Sequence, residues 1–421
     1  MGKLIINGGK PLRGTVRISG SKNSSLPLMA AAILTDEECR LKGVPFLRDV
    51  STLSLLLEIL GVRVTRNGDG SMSLLSDPRG SCVAPYRIVS EMRASFCVMG
   101  PLLARRGRAV VSLPGGCQIG DRPIDLHIKG LRALGAQVVQ ENGYIHCHAE
   151  RLKGANILLS GPFGPTVLGT QNVMMAASLA EGETVIDSAA REPEVVESAR
   201  FVNQMGGDVR DHGTPLMKVR GVARLHGASV QVIPDRIEAA TFMIAAAITR
   251  GEIRIENCRA DHLGAVVDVL RHIGVEITFD GDSCTVRGND RYKPVDVTTL
   301  PYPGFPTDVQ AQLMALVCLS EGKSVITDKV YPDRFGHVGE LRRMGAVIRK
   351  EGSTAVVDGV KELQGAEVMA SDLRASAALV LAGLAARGTT IVNRVYHLDR
   401  GYEKIDEKLR ALGADIQRDE E

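Results

Sequence analysis

GLRALGAQVV, residues 130–139, decides the fold. Leu131 and Leu134 sit three apart on one helical face, Gly135 follows, and Val138 and Val139 come next. A glycine closing an apolar-periodic run takes the left-handed cap of a helix. The β-branched residues behind it read as a strand. The phrase returns as LLLEILGVRV (55–64), FVNQMGGDVR (201–210), VLRHIGVEIT (269–278), ELRRMGAVIR (340–349) and KLRALGADIQ (408–417). The glycines, Gly61, Gly135, Gly206, Gly274, Gly345 and Gly413, recur at about 70 residues, longer than the repeat of common solenoids.

A second phrase recurs in each repeat, rich in small apolar residues. It appears as SLPLMAAAIL, RASFCVMGPLLARRG, TQNVMMAASLAEG, ATFMIAAAITRG, QAQLMALVCLSEG and ASAALVLAGLAARG. Alanine on every side predicts a helix buried all round. Each repeat therefore reads as strand, buried helix, strand, amphipathic helix and further strands. With 421 residues the chain exceeds one ordinary core. Two α/β groups of three repeats fit the usual domain size, changing over near VQVIPDRIE (230–238).

Hydrophobic content of 44%, charged content of 24% and a net charge of +2 are those of a soluble globular protein. No polybasic run suggests a nucleic-acid or membrane partner. MGKLIINGGKPLRG (1–14) has no apolar core of signal-peptide length, so a cytoplasmic protein is expected. Eight cysteines without a C-x-x-C pair suggest neither a disulfide framework nor a zinc cage. His146 and His148 share one strand face but lack a carboxylate pair, a poor metal site. GGKPLRG (8–14) lacks P-loop spacing and reads as a turn.

Charge collects where the small-residue helices begin: SGSKNSS, SEMRAS, PDRIEA, FPTDVQA and SDLRAS. Capping accounts for Ser90, Asp235, Thr307 and Ser371. It does not account for Lys22, Arg93, Arg236 and Arg374, because a cation there opposes the helix macrodipole. A bound anion reverses that penalty. Each repeat also carries an arginine ahead of its cap glycine: Arg48, Arg122, Arg191, Arg259, Arg334 and Arg400. Together these cations predict a basic cleft for small anionic substrates.

Cys117 stands apart from the other cysteines, which mostly lie in apolar runs. It follows Pro114-Gly115-Gly116 and precedes Arg122 and Pro123. Glycines let the backbone approach a ligand, and proline suits a first helical turn. A nearby guanidinium lowers a thiol pKa and raises its reactivity. A functional thiol is the expectation.

SLPGGCQIGDRPIDLH (112–127) closely resembles the cysteine loop of the UDP-N-acetylglucosamine 1-carboxyvinyltransferase family. SGSKNSSLP, EMRAS, AAREPEVV, PDRIEA, FPTDVQAQ, DRFGHV, SDLRASAALVLAG and YHLDRGYEKIDEKLRALGADI resemble that family's motifs, in its order and over essentially the whole chain. The resemblance implies a two-domain, inside-out α/β barrel fold. Each domain holds three βαβαββ repeats around buried helices, over residues 22–232 and over 1–21 with 233–421, with the substrate cleft between them. It implies transfer of the enolpyruvyl group of phosphoenolpyruvate to the 3-hydroxyl of UDP-N-acetylglucosamine, opening peptidoglycan synthesis. Phosphate leaves through a tetrahedral ketal, and no metal or organic cofactor is needed. A monomer or weak homo-oligomer is expected.

The same resemblance assigns roles. Cys117 is general acid and can bond to phosphoenolpyruvate, Asp308 takes the sugar hydroxyl proton, and Asp372 shares in the proton transfers. Lys22, Arg122 and Arg400 hold phosphoenolpyruvate, with Arg93 and Arg374 in support. Asn23 and Arg334 meet the amino sugar or assist closure. The Cys117 loop acts as a lid. Where many members carry a lysine and a serine to meet the uridine diphosphate, this chain has Gly164 and Thr166, and Ser51 stands where aspartate is common. Rival readings are transfer to shikimate 3-phosphate, a non-catalytic nucleotide-sugar-binding regulator, and a redox sensor at Cys117.

Overall fold

The computed structural model describes residues 2–113 and 124–419. They divide into two compact units, one of residues 2–19 with 234–419 and the other of residues 20–113 with 124–233. The stretch with Cys117 and Arg122 lies outside the described residues.

The described residues form six four-stranded sheets and one two-stranded ribbon. Each four-stranded sheet has one parallel pair at its edge, followed by two antiparallel pairs. In one, Asp296–Thr299 runs parallel to Lys323–Asp328, which is antiparallel to Thr354–Asp358, itself antiparallel to Val347–Glu351. Three such sheets belong to each unit. Every sheet is open at its edges, and none closes on itself among the described residues.

Strands distant in sequence complete several sheets. Lys3–Asn7 lies between Thr389–Asn393 and Asp415–Asp419. Arg13–Arg17 pairs in parallel with Glu252–Glu256, and Ser229–Gln231 with Cys39–Lys42. The chain's first strands thus fold with its second half.

The small-residue helices are buried on all faces. All eight residues of Gln310–Val317 are buried, as are all of Arg236–Ile248 but Arg236. In Leu373–Ala385, burial runs unbroken from Arg374 to Leu384. Each unit has its own apolar core around such helices. The amphipathic helices lie outside them, Arg48–Ile59 burying Val50, Leu53, Leu56 and Leu57. All six repeat glycines have φ between 82° and 112°, a backbone conformation that costs glycine nothing.

Candidate active site

In the unit of residues 20–113 and 124–233, Ser21 caps the Lys22–Ala31 helix, its hydroxyl accepting from the Ser24 amide. The cap sets Lys22 and Asn23 at the helix start, both half-buried. Lys22 Nζ donates to Asp49 Oδ2 at 3.1 Å. Asp49 lies in the first turn of Arg48–Ile59 and is 3% exposed. A carboxylate there is favoured by the helix dipole and gives Lys22 a fixed counter-charge.

Arg93 opens the 3-10 helix Arg93–Val98, half-buried. His127 lies near it at the start of Asp125–Ala133. Burial first, then the Arg93 charge, pushes its imidazole down to about 3. Its Nδ1 meets Asn172 Nδ2 at 2.9 Å, and the Asn172 amide also donates to the Phe96 carbonyl and accepts from the Gly100 amide. Because Asn172 Nδ2 can only donate, His127 Nδ1 is the acceptor in a neutral ring.

Gly164 and Thr166 lie nearby in sequence. Ser160–Gly161 and Gly164–Pro165 form the short ribbon, with φ at Gly164 of 90°. Thr166 caps Val167–Ala177, its hydroxyl accepting from the Gly169 amide.

In the other unit the charge order is reversed. Asp308 sits in the 3-10 turn Thr307–Val309, leading into Gln310–Val317. Its Oδ1 lies 2.7 Å from Arg334 Nη1 and 3.6 Å from Arg374 Nε. Both arginines are almost fully buried, and the Asp308 side chain is 27% exposed. Asp372 caps Leu373–Ala385, Oδ1 accepting from the Arg374 and Ala375 amides, which sets Arg374 in the first turn.

Burial works against the charge on Arg374. Tyr402, Asp308 and Asp235 outweigh it, so the guanidinium is held above its ordinary range. Tyr402 is buried beneath, with the Arg374 guanidinium carbon 5.3 Å from its ring centroid and its hydroxyl 2.9 Å from Thr241 Oγ1. His337, behind Arg334, is pushed down to about 4, chiefly by burial; Asp372 pulls the other way and Arg334 adds to the fall. Arg400 ends the 3-10 helix Val395–Arg400, half-buried. Its neighbour Asp399 accepts both Nη atoms of Arg418, at 2.9 and 3.0 Å, pinning that turn to the strand Asp415–Asp419.

Several sequence expectations change here. Asp372, not Ser371, caps its helix. Thr307 is no cap, since its hydroxyl donates to Asp328. Ser90 follows Tyr86–Val89, and Met92 precedes Arg93–Val98 without a side-chain cap bond. Of the repeat arginines, Arg48 is exposed and Arg259 pairs with Asp261 at 2.7 Å, two residues away. Cations at helix starts owe part of their compensation to internal acids, Asp49 for Lys22 and Asp308 for Arg374.

Asp49, His127, Asn172, Asp328, His337 and Tyr402 carry the geometry without having been singled out from sequence. Asp49 left one legible trace: it lies on the stripe of Val50, Leu53, Leu56 and Leu57, and an acid on an apolar stripe needs a partner. The four thiols Cys39, Cys97, Cys147 and Cys318 are pushed up, chiefly by burial, to about 11 or 12, and are inert as nucleophiles.

The EPSP synthase (3-phosphoshikimate 1-carboxyvinyltransferase) family model matches residues 6–409. A UDP-N-acetylglucosamine 1-carboxyvinyltransferase of Nitratidesulfovibrio vulgaris is 52% identical over 422 residues, spanning 100% of both chains. One of Trichlorobacter lovleyi is 52% identical over 419 residues, 99% of each. Among solved structures, the enolpyruvyl transferase NikO from Streptomyces tendae matches with a TM-score of 0.89 at 25% identity, over 99% of this chain and 98% of that one. An EPSP synthase from Acinetobacter baumannii matches at TM-score 0.78 and 20% identity over 100% of both, a likeness of fold alone.

Proposed function

The chain belongs to the UDP-N-acetylglucosamine 1-carboxyvinyltransferase family, and on that premise we propose how its residues perform enolpyruvyl transfer. The substrates are phosphoenolpyruvate and UDP-N-acetylglucosamine. The sugar 3-hydroxyl adds to C2 of phosphoenolpyruvate while a proton adds to C3, giving a tetrahedral ketal. Loss of a C3 proton with expulsion of phosphate then leaves the enolpyruvyl ether. Neither step needs a metal or organic cofactor.

The observation carrying this reading is the Asp308 carboxylate, fixed through Oδ1 by Arg334 at 2.7 Å with Arg374 at 3.6 Å. A partly exposed carboxylate fixed in this way is a placed proton acceptor for the hydroxyl. Lys22, oriented by Asp49, is a compact point charge suited to phosphate. Arg400, Arg93 and Arg374 add charge for phosphate and carboxylate. Cys117 is assigned as general acid with Arg122 beside it, Asp372 joins the proton transfers, and Asn23 and Arg334 meet the amino sugar. Lys22 and Cys117 come from one half of the chain and Asp308 and Arg374 from the other; the reaction draws on both.

The finer architecture belongs to the same proposal: an inside-out α/β barrel of six βαβαββ repeats, three in residues 22–232 and three in 1–21 with 233–421. The shared pairing order of the six sheets supports it. A cytoplasmic monomer or weak homo-oligomer acting in peptidoglycan synthesis completes the reading.

The test is phosphate release from phosphoenolpyruvate with UDP-N-acetylglucosamine or with shikimate 3-phosphate, for wild type and Cys117→Ala. Turnover with the nucleotide sugar alone, abolished in the variant, is expected. Turnover with shikimate 3-phosphate would replace the acceptor, and an active Cys117→Ala would remove the thiol from the mechanism.

A further inference from the structure

The strand Lys323–Asp328 alternates, with Ser324, Ile326 and Asp328 facing inward. Period-two alternation thus carries a carboxylate into the core, where Asp328 is 0% exposed. Its Oδ1 accepts from Thr299 Oγ1 at 2.7 Å, the Val330 amide at 3.0 Å and the Tyr331 amide at 2.7 Å. Its Oδ2 accepts from Thr307 Oγ1 at 2.7 Å. All four donors are neutral. Burying a carboxylate among neutral donors is expensive, so a core position that needed only filling would be better served by an apolar side chain.

The bonds have a common destination. Val330 and Tyr331 belong to the turn that ends at Arg334, whose amide donates to the Tyr331 carbonyl at 3.0 Å. Thr307 immediately precedes Asp308. One buried carboxylate therefore ties together the two chain segments that bring Arg334 and Asp308 into contact.

The polarity of the tie is also fixed. A threonine hydroxyl has one proton and two lone pairs. With its proton given to Asp328, Thr307 Oγ1 can only accept from Arg334 Nη1, which stands 3.3 Å away. The same Nη1 holds Asp308 Oδ1 at 2.7 Å. The geometry points to Asp328 as a positioning residue that, through the Thr307 hydroxyl, sets the Arg334 guanidinium and with it the orientation of Asp308. The inference rests on the proposed role of Asp308 as proton acceptor.

Thr307→Val keeps the shape and leaves the other three donors to Asp328 in place. Thr307→Ser keeps the hydroxyl. Asp328→Asn turns an NH₂ toward Thr307 and reverses the direction of that bond. A misplacement of about 1 Å at a reacting group costs on the order of 10²-fold, so we expect Thr307→Val to lower kcat roughly 10- to 100-fold. KM for phosphoenolpyruvate should stay within about threefold, since no contact assigned to it is removed. Thr307→Ser should stay within about threefold of wild type in kcat. Asp328→Asn should match Thr307→Val, and the double variant should be no worse than either, because both break one path.

Near-wild-type turnover in Thr307→Val would overturn the relay. So would a Thr307→Ser variant as impaired as Thr307→Val, or losses that multiply in the double variant. If Asp328→Asn fails to fold, the Val and Ser pair still decides. Asp308→Asn run alongside separates the two claims. If it keeps turnover, the Asp308 assignment falls and the relay with it. If it is inactive while Thr307→Val is normal, the relay alone falls.

Discussion

Lys22 and Asp308 hold equivalent places in the two units with their charges exchanged. Each begins a helix buried on all sides, and each meets a partner at the start of the next amphipathic helix. Lys22 reaches Asp49, 27 residues on, and Asp308 reaches Arg334, just ahead of His337–Arg343. In the first pair the cation stands at the buried helix and the acid behind it. In the second the acid stands there, held by two guanidiniums. The recurring arrangement supplies the position, and the residue placed in it decides which charge stands there.

The buried histidines differ in the same way. His127 has the Arg93 charge added to the effect of burial, whereas at His337 the Asp372 carboxylate opposes it. Both side chains remain neutral in the folded protein, with the first depressed further.

The comparison breaks most visibly at Asp308. Asp308→Asn should lower kcat by roughly 10²- to 10⁴-fold with a much smaller change in KM, the range of a positioned general base, read by phosphate release. A loss confined to KM would make Asp308 a binding group like Lys22. Asp49→Asn should act on the other side: freed from its counter-charge, Lys22 should alter the KM for phosphoenolpyruvate by about tenfold, the scale of one charged hydrogen bond, while kcat changes less. An unchanged KM would make the Lys22–Asp49 pair structural.

Acid sensitivity sharpens the contrast. An imidazole held neutral when folded takes up a proton on unfolding, so between pH about 3 and 6.5 the unfolded chain binds more protons. The His127 contribution is therefore complete above 6.5 and declines as the pH falls, by about 1 kcal/mol per pH unit. Thermal unfolding of His127→Gln and His337→Gln should show similarly flattened acid declines between pH 7 and 5, because both imidazoles stay neutral in the folded protein there, and the two should part below pH 5, where folded His337 takes up its proton first. Equal slopes below pH 5 would dissolve the distinction. The smallest effect expected is at Gly164, where φ is 90°. Gly164→Lys adds a charge but places a side chain on left-handed backbone, at a cost of about 1 kcal/mol in denaturant titrations. A variant as stable as wild type would show that the ribbon adapts to a lysine.

Much of this was legible in order along the chain. The cap glycines, the helices buried on all faces and Asp235 as the cap of Arg236–Ile248 follow from periodicity and local chemistry. Ser371 was the plausible cap one residue too early, because serine and aspartate compete for the same amides and only the backbone turn chooses between them. Arginine at matching repeat positions says nothing about which carboxylate stands opposite, and Arg259 found Asp261 two residues away.

By itself the sequence determined the recurring cap glycines, the buried and amphipathic helices and the family, because these depend on spacing within about 20 residues and on the chemistry of single side chains. Tertiary structure alone decided the partners. Asp49 behind Lys22, Arg334 and Arg374 around Asp308, Asp328 beneath Thr307, and Lys3–Asn7 between two strands from the far end of the chain all join residues about 20 or more apart. A charge reads the same in sequence whether it faces water, a substrate or another charge; only the packing of one segment on another settles which.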